Sequence, residues 1–426
     1  MASFYIPLSG LEADSTALNT IANDLSNMNS TAFKTQTTNF SDLFHQQIGS
    51  TGSGDPIQVG AGVQVSSNET SFTQGTINAT GNSTDVALNG NGFFVVNTGG
   101  GVVEYTRAGD FSLASNGNLV TSNGFNVMGY PAQNGVVNTN APLTTINIPV
   151  GEVQQPAATT SFNMTANLDA ASANNTSFPA QITVYDSLGV NHVATVNYTE
   201  TGTNTWSYNV SLPAGDFSSG VSVPQTGTLS FNANGDLTTV TPTGGAAQTV
   251  GSGVGQTSSI PLSFTGLADG ASDLKMGWNL LGTSGSPNIS QVDTASAVSA
   301  TSQNGYASGQ YQSFTVGSDG TVTATYSNGK TQNVGQLALA NVANQQGLLL
   351  LGNGDYSTTA TSGTASIGTS GAAGLGTVTD GALEESNVNI SAEFSDLIIA
   401  QRAFEASSKA VTTFDTITQE TINMIH

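Results

Sequence analysis

Apolar residues near the start of the chain recur at the spacing of one helical face. From Leu8 they fall at steps of three, four or seven residues, and Leu11, Leu18 and Leu25 keep strict heptad spacing. Such a stripe predicts an amphipathic helix that packs against partner helices. Asp14 lies midway in this seam, where a polar residue costs stability and can fix the register of packing.

The other end of the chain repeats this pattern over a longer stretch. A series of positions seven residues apart begins at Ile390, and neither glycine nor proline interrupts residues 388–426. Ser391, followed by Glu393 in the first turn, predicts a helix start. A helix over Ser391–Ile425 would be about 50 Å long, which is long for a domain helix and suits a coiled coil.

The two apolar stripes predict an assembly interface. Helical ends around a different middle can pair with each other within one chain or with the ends of neighbouring subunits. Heptad stripes over four or more repeats usually pack on partner helices. The residues predicted to form this interface are Leu11, Leu18, Ile21, Leu25, Ile390, Leu397, Phe404, Val411, Phe414 and Ile425.

Between the ends, tight turns separate short runs of alternating apolar residues. Phe111–Leu119 and Phe314–Val322 are nearly the same phrase, and each predicts a strand, an Asn-Gly or Asp-Gly turn and a second strand. Glycine accounts for 50 of 426 residues, as expected for many short strands joined by turns. The chain is therefore predicted to be mainly β, with long coiled-coil-like α-helices at both termini.

Composition and the repeated phrases predict a discontinuous multidomain chain. The two phrases lie on either side of residues 151–291, as expected if an outer β domain is inserted into an inner one. The predicted parts are a terminal helical polymerisation domain (1–30 and 382–426), linker segments (31–75 and 370–381), a β-rich inner domain (76–150 and 292–369) and a β-rich outer domain (151–291).

The balance of charges narrows the class of partner. Six basic residues against 28 acidic ones give a formal net charge of −22. A surface this acidic repels phosphate, so we expect no nucleic-acid partner and no binding to anionic lipid. Glu384 and Glu385 are adjacent, and because neighbouring side chains point apart, they are predicted to be a solvated start to the terminal region.

Cysteine usage and the N-terminal residues bear on the compartment. The chain has no cysteine, which excludes disulfides and thiolate zinc sites. Its first residues lack the basic n-region and apolar h-region of a secretory signal, and no apolar run is long enough to span a membrane. We expect no membrane insertion and, if the protein leaves the cell, export without a cleaved signal peptide.

No set of residues has the spacing that catalysis or metal binding requires. His45, His192 and His426 form no pair at ligand spacing, and no serine occupies a Gly-x-Ser-x-Gly elbow. The Gly-Lys-Thr of residues 329–331 is similar to the end of a phosphate-binding loop, but Ala324 replaces the required glycine. We predict that the chain is not an enzyme and has no catalytic, cofactor-binding or metal site.

Both ends resemble the bacterial flagellar rod and hook subunits, the axial family. The similar segments are Leu8–Ala13 and Leu18–Lys34 at the start, and Leu383–Ser391 and Leu397–Lys409 at the end. The family usually has glycine at the position of Ala32. The terminal motifs are specific to this family, so the resemblance implies terminal helices that line an inner tube, with β domains at larger radius.

Segments inside the chain also resemble this family. Asp85–Val95 and Tyr105–Phe111 are similar to the β domain shared by rod, hook and hook-like proteins, whereas Val184–His192 and residues 320–341 resemble hook subunits. Distal rod proteins are much shorter and lack a domain at about residues 151–291. The resemblance therefore favours the hook within the family.

A hook subunit would assemble into a hollow, curved, flexible tube that links rod to filament and transmits torque as a universal joint. The resemblance implies other copies of the chain, the distal rod protein, the hook cap, the hook–filament junction protein and the flagellar type III export apparatus as partners, and an extracellular location in the hook. The alternatives are a distal rod or hook–filament junction subunit and, in a different class, a secreted β-rich adhesin. An adhesin would not need matched heptad ends.

Overall fold

A helix stands at each end of the chain, and strands occupy most of what lies between them. The computed structural model describes residues 5–424. Helix α1 spans Tyr5–Ser26 and helix α2 spans Ile390–Met424, a length of 35 residues. The predicted fold class, mainly β with long terminal helices, is confirmed.

Local chemistry explains where the helices begin. Pro7 lies in the first turn of α1, where its missing amide hydrogen removes no helical bond. The side chain of Asn389 accepts hydrogen bonds from the backbone amides of Ser391 and Ala392 at 3.1 and 3.2 Å. Asn389 is therefore the N-cap, and α2 begins one residue before the predicted start at Ser391.

Thirty-four strands lie between the helices. Up to Val150 they are β1 (Gln36–Asp42), β2 (Gln46–Ser50), β3 (Pro56–Val59), β4 (Val63–Thr70), β5 (Ile77–Ala79), β6 (Val86–Asn89), β7 (Phe93–Asn97), β8 (Val103–Thr106), β9 (Ser112–Leu113), β10 (Leu119–Val120), β11 (Asn126–Gln133), β12 (Val136–Val137) and β13 (Thr144–Thr145).

The next strands follow Val150. They are β14 (Val153–Gln154), β15 (Ser161–Asp169), β16 (Ser177–Tyr185), β17 (Asn191–Gly202), β18 (Thr205–Ser211), β19 (Gln225–Phe231), β20 (Leu237–Pro242), β21 (Gln248–Thr249), β22 (Ser259–Phe264), β23 (Leu274–Asn279), β24 (Ile289–Val292), β25 (Ala297–Gln303) and β26 (Gly309–Val316).

The remaining strands lead to α2. They are β27 (Thr321–Tyr326), β28 (Thr331–Leu337), β29 (Leu339–Asn341), β30 (Leu349–Gly352), β31 (Asp355–Ser357), β32 (Ser366–Gly368), β33 (Thr377–Asp380) and β34 (Ala382–Glu384). None of the helices described over residues 5–424 is long and apolar enough to cross a bilayer.

The chain divides into two compact units. Unit 1 contains the chain up to Val150, Ser313–Thr325 and the chain from Thr331 onward, and unit 2 contains Gly151–Gln312 and Tyr326–Lys330.

Unit 1 is completed by strands from both ends of the chain. Its main sheet runs in the order β27-β28-β11-β7-β8-β31-β30, and the pairings from β28 to β11, β7, β8 and β31 are antiparallel. Smaller pairs join β5 to β34 and β6 to β33. Phe72, Phe93 and Tyr356 meet in the core with ring centroids 5.4–5.8 Å apart. Each half of the chain therefore covers apolar surface of the other.

Unit 2 has two sheets that share one apolar core. The six strands β16 to β21 form an antiparallel sheet in chain order, whereas β22, β23, β15 and β24 form a second sheet, to which β25 adds. Strand β15 pairs in parallel with β23 and β24. Trp206 and Trp278 are fully buried, and the ring of Tyr208 lies 5.5 Å from that of Trp278. The alternating pattern of these strands thus places their apolar sides between the sheets.

The boundaries of these units differ from the predicted domains. Unit 2 reaches Gln312, beyond the predicted end at Gln291, because β25 pairs with β15 and β26 pairs with β14. The segments predicted to be linkers contain strands: β1 pairs with β4, and β33 pairs with β6. These segments are polar and rich in glycine, yet they form two-stranded antiparallel pairs. Backbone hydrogen bonds hold such pairs together without a large apolar contribution from side chains.

Strand β11 provides a test of the pairing across unit 1. A methyl group at Gly129 would collide with the Gln336 carbonyl on β28 and with the Ile146 side chain. We expect Gly129→Ala to lower the free energy of unfolding by about 1–3 kcal/mol, measured by urea unfolding followed by circular dichroism. Gly60→Ala, at a site with open space, is the control. Equal stability of the two variants would contradict this packing.

Candidate assembly surface

Helices α1 and α2 pack against each other through small residues. Ala13 and Ala400 are buried, and a methyl group at Gly10 would come within 3.3 Å of the Ser407 hydroxyl. The same hydroxyl donates a hydrogen bond of 2.9 Å to Asp14 Oδ2. Asp14, the polar residue predicted within the seam, thus has its partner on the other helix and fixes the register of the pair.

The predicted interface residues divide into three groups. Ile390 is exposed, and Ile425 lies outside the described residues. The other eight are half-buried within the single chain: Leu11, Leu18, Ile21, Leu25, Leu397, Phe404, Val411 and Phe414. Pairing of α1 with α2 inside one chain is one of the two arrangements that the sequence allows, and contact of these residues with another copy stays a prediction.

Other apolar side chains of the helices are exposed, and heptad spacing did not identify them. On α2 these residues each have more than half of their surface exposed: Phe394, Ile398, Ile399, Ile417, Ile422 and Met424. On α1, Tyr5 and Ile6 are exposed, and so is Leu8, the first residue of the predicted stripe. The three consecutive apolar residues Leu397–Ile399 could have indicated this exposed surface in the sequence, because they make the apolar face of α2 wider than a single heptad stripe. The helix pair thus presents an apolar surface that the chain itself leaves uncovered.

A groove runs beside this helix pair, with an internal volume of about 300 Å³. Its floor and walls come from α1, β1 and α2 and include Ile21, Thr38, Phe40, Ile399 and Ala400. Phe40 and Ile399 are both exposed. The groove therefore continues the uncovered apolar surface of α2 onto strand β1.

Strand β1 is attached to α1 by polar contacts. The hydroxyl of Thr38 donates to that of Thr20 at 2.9 Å, and the backbone amide of Gln36 donates to Asp24 Oδ2 at 2.9 Å. Asp24 is fully buried, and burial raises the pKa of its carboxyl to about 6, although the hydrogen bond from Gln36 opposes the shift. Burial therefore disfavours the charged form of the Asp24 carboxylate, which lies near the start of unit 1.

A buried ionic cluster joins both ends of the chain to the main sheet. Glu384 Oε1 lies 2.6 Å from Lys34 Nζ, and Oε2 accepts hydrogen bonds from Arg107 Nε and Nη2 at 3.1 and 3.0 Å. The amide of Gly75 also donates to Oε1 at 2.9 Å. All three charged side chains are 5 % exposed or less. Glu384 is therefore buried, and the prediction of a solvated position was wrong, because two cations and an amide replace its water.

The two cations of this cluster have different second partners. Lys34 donates to the Thr73 carbonyl at 2.8 Å, and burial lowers the pKa of its ammonium group, although contact with Glu384 opposes the shift. Arg107 also donates to the carbonyls of Gly90 and Gly92 at 2.7 and 3.0 Å. Lys34 thus links the segment after α1 to Glu384, whereas Arg107 links the main sheet to the same carboxylate.

The segments next to the helices are joined by further backbone contacts. The amide of Ala32 donates to the Glu384 carbonyl at 2.8 Å, and the amide of Thr35 donates to Asn387 Oδ1 at 2.8 Å. Asn387 Nδ2 donates in turn to the Ser71 carbonyl at 2.8 Å. Ala32 has φ of 53°, a left-handed conformation that glycine adopts without strain and that costs an alanine roughly 1–2 kcal/mol. The turn after α1 is therefore left-handed although it lacks glycine.

Three family descriptions match successive parts of the chain. Residues 87–167 match the flagellar hook protein FlgE/F/G D1 domain, residues 158–306 the flagellar basal body protein FlaE D2 domain, and residues 379–424 the flagellar basal body rod FlgEFG protein C-terminal region. The flagellar hook protein FlgE of Escherichia coli K12 is 35 % identical over 437 residues, which cover 99 % of this chain and 100 % of that protein. The chain belongs to the flagellar hook protein FlgE family.

Other comparisons agree with membership of the FlgE family. The FlgE of Treponema pallidum is 33 % identical over 461 residues, which cover 100 % of this chain and 99 % of that protein. The crystal structure of Helicobacter pylori flagellar hook protein FlgE2 aligns with a TM-score of 0.52 and 13 % identity, covering 71 % of this chain and 98 % of that one. At this identity the alignment supports the fold alone.

The ionic cluster predicts a large effect of a small substitution. Glu384→Gln keeps the side-chain shape but leaves Lys34 and Arg107 as buried charges without their carboxylate, so we expect a loss of about 3–5 kcal/mol in unfolding free energy. Glu385→Gln, at the exposed neighbouring position, is the matched control and should stay within about 0.5 kcal/mol of the parent. Similar values for the two variants in urea unfolding would refute the structural role of the cluster.

The raised pKa of Asp24 predicts that the folded state, including the contact between α1 and β1, becomes more stable at acidic pH. Its folded-state pKa of about 6 exceeds the ordinary value of 3.8, so the folded chain binds the proton more tightly and stability rises as pH falls from about 6 towards 3.8. Asp24→Asn should raise the melting temperature at about pH 8 and change it little at about pH 4. Asp42→Asn, at a side chain that is 81 % exposed, serves as the control. A lower melting temperature for Asp24→Asn at about pH 8 would overturn this assignment.

Proposed function

We propose that the chain is the structural subunit of a bacterial flagellar hook and acts by self-assembly in motility. The observation that carries this proposal is the similarity to flagellar hook proteins, which covers 99–100 % of this chain and of the relatives. A role in catalysis is not part of the proposal, because the family is one of structural proteins.

Copies of the chain assemble through the helix pair and the groove beside it. The apolar side chains exposed on α2, among them Ile399 and Ile417, require cover that one chain does not supply. If the exposed face of one copy contacts a different face of the next, the contact is head-to-tail, and it propagates into an open helical polymer when the rotation between copies does not close a ring. The predicted interface residues, from Leu11 to Phe414 and Ile425, belong to this proposed surface.

The polymer is a hollow, curved, flexible tube that links rod to filament and transmits torque as a universal joint. Its partners besides itself are the distal rod protein, the hook cap, the hook–filament junction protein and the flagellar type III export apparatus. The subunit reaches its extracellular place in the flagellum through that apparatus. In the proposed organisation, the terminal helices form the inner tube, and the β domains lie at larger radius.

Electron microscopy of the purified, concentrated protein tests the function directly. Curved tubes are the expected product, straight rods would indicate a rod subunit, and particles that stay globular would contradict self-assembly. Circular dichroism of the same sample shows whether a protein that fails to assemble is folded.

A substitution at the exposed helix surface tests the site of assembly. Ile399→Gln should leave the melting temperature of the monomer unchanged, because the side chain is 65 % exposed in one chain, yet raise the concentration needed for polymerisation at least tenfold. Glu405→Gln changes an exposed polar side chain of the same helix and is the control. Normal polymerisation of Ile399→Gln, followed by sedimentation, would exclude this surface.

A further inference from the structure

Unit 2 contains a buried histidine surrounded by carboxylates. His192 is only 4 % exposed. Its Nδ1 lies 2.8 Å from Asp216 Oδ2, and its Nε2 lies 3.1 Å from Asp186 Oδ2. Asp269 Oδ2 stands 3.9 Å from the same Nε2. One imidazole ring thus faces three acidic side chains.

The three carboxylates come from three different connections of unit 2. Asp186 follows β16 in the turn to β17, and His192 lies on β17 itself. Asp216 ends the short 3₁₀-helix Ala214–Asp216 after β18, and Asp269 lies between β22 and β23 of the other sheet. The ring therefore stands where a hairpin of one sheet meets a connection of the other.

Backbone contacts show that these connections meet. The amide of Ala268 donates to the Asp216 carbonyl at 2.9 Å, and the amide of Ser272 donates to the Ser187 hydroxyl at 3.0 Å. Neither bond involves a titratable side chain. These two bonds therefore hold the connections together independently of the charge on the His192 ring.

The hydrogen-bond pattern identifies the protonation state of the ring. Asp186 Oδ1 already accepts the amides of Leu188 and Val190 at 2.8 and 2.9 Å, so this carboxylate acts as an acceptor throughout. Asp216 Oδ2 lies at the other ring nitrogen, and an ionised carboxylate there can only accept a hydrogen bond. A neutral imidazole has one N–H and could satisfy only one of the two, whereas the doubly protonated ring donates to both.

We propose that protonated His192 is a pH-sensitive clamp that holds together three connections of unit 2: the β16–β17 hairpin, the 3₁₀-helix after β18 and the β22–β23 connection. The proton on the second ring nitrogen supplies the positive charge and the second donor that join the β16–β17 hairpin to the 3₁₀-helix. Asp269, the third facing carboxylate, adds attraction from the opposite sheet. Loss of that proton leaves one of these carboxylates without its donor and removes the attraction to all three.

The direction of the pH effect follows from the surroundings of the ring. Burial alone would lower the pKa of His192, but hydrogen bonds to Asp186 and Asp216 and their negative charges outweigh it and raise the pKa above the ordinary 6.5. The folded state therefore binds this proton more tightly than the unfolded state. The stabilisation is fully present below about pH 6.5 and disappears as pH rises through the higher folded-state pKa.

Thermal unfolding of the full chain, followed by tryptophan fluorescence, tests the clamp. Both tryptophans of the chain, Trp206 and Trp278, are buried in unit 2, so their emission reports this unit. We expect the melting temperature of the parent to fall by several degrees between about pH 6 and about pH 9. The fall should be at least halved in His192→Gln and unchanged in His45→Gln, whose side chain lies outside unit 2. An equal fall in all three proteins would overturn the proposal.

A second measurement does not depend on the folding of the His192 variant. The ring resonances of the parent, assigned with His45→Gln and His426→Gln, should show His192 titrating above pH 6.5, and Asp216→Asn should move that titration to lower pH. Titration of His192 below 6.5 in the parent would contradict the clamp.

Zinc is the competing occupant of this cluster. Ligand atoms of Asp186, His192 and Asp269 all lie within 4.8 Å of one another, and a metal ion would take the place of the Nε2 proton. We expect added Zn²⁺ and EDTA to leave the melting temperature at about pH 7 unchanged. A rise with Zn²⁺ that EDTA reverses and His192→Gln abolishes would replace the proton with a metal and overturn the proposal.

Discussion

The carboxylate of Glu384 is the charge on which the arrangement of unit 1 depends. It is buried with Lys34 from the segment after α1 and Arg107 from the main sheet, and it precedes α2 itself. Removing three charged groups from water costs several kcal/mol per group, which only close geometry and further hydrogen bonds can offset. The amide of Gly75 and the carbonyls of Thr73, Gly90 and Gly92 supply those bonds.

This cluster gives the helix pair a fixed position on a β domain. α1 and α2 touch through small residues such as Gly10 and Ala13, which bury little apolar area on their own. The isoleucines exposed on α2 are left uncovered by the chain itself, while the polar contacts of Glu384 and Asn387 hold the helix ends. Such a division suits a subunit that must fold by itself and still leave an apolar surface for assembly.

Unit 2 combines a large apolar core with one buried polar cluster. Its core is apolar and contains both tryptophans, so burial of apolar surface is the main source of its stability. The contact between connections of its two sheets is instead polar, and His192 faces three carboxylates there. In a chain with a formal charge of −22, a protonated ring among these carboxylates reduces the local repulsion between them.

The sequence by itself determined the terminal helices, the β-rich middle and the hairpin at Phe111–Leu119, since Leu113 pairs with Leu119 across the predicted turn. These features depend on local periodicity and turn chemistry, and a short stretch of sequence is enough to show both. Tertiary structure alone decided the burial of Glu384, because its cations stand 277 and 350 residues away along the chain. It also decided the surroundings of His192, because Asp216 and Asp269 approach the ring from separate connections that lie far from it along the chain. Long-range pairing sets these environments, and no local pattern of residues encodes which distant charges will meet.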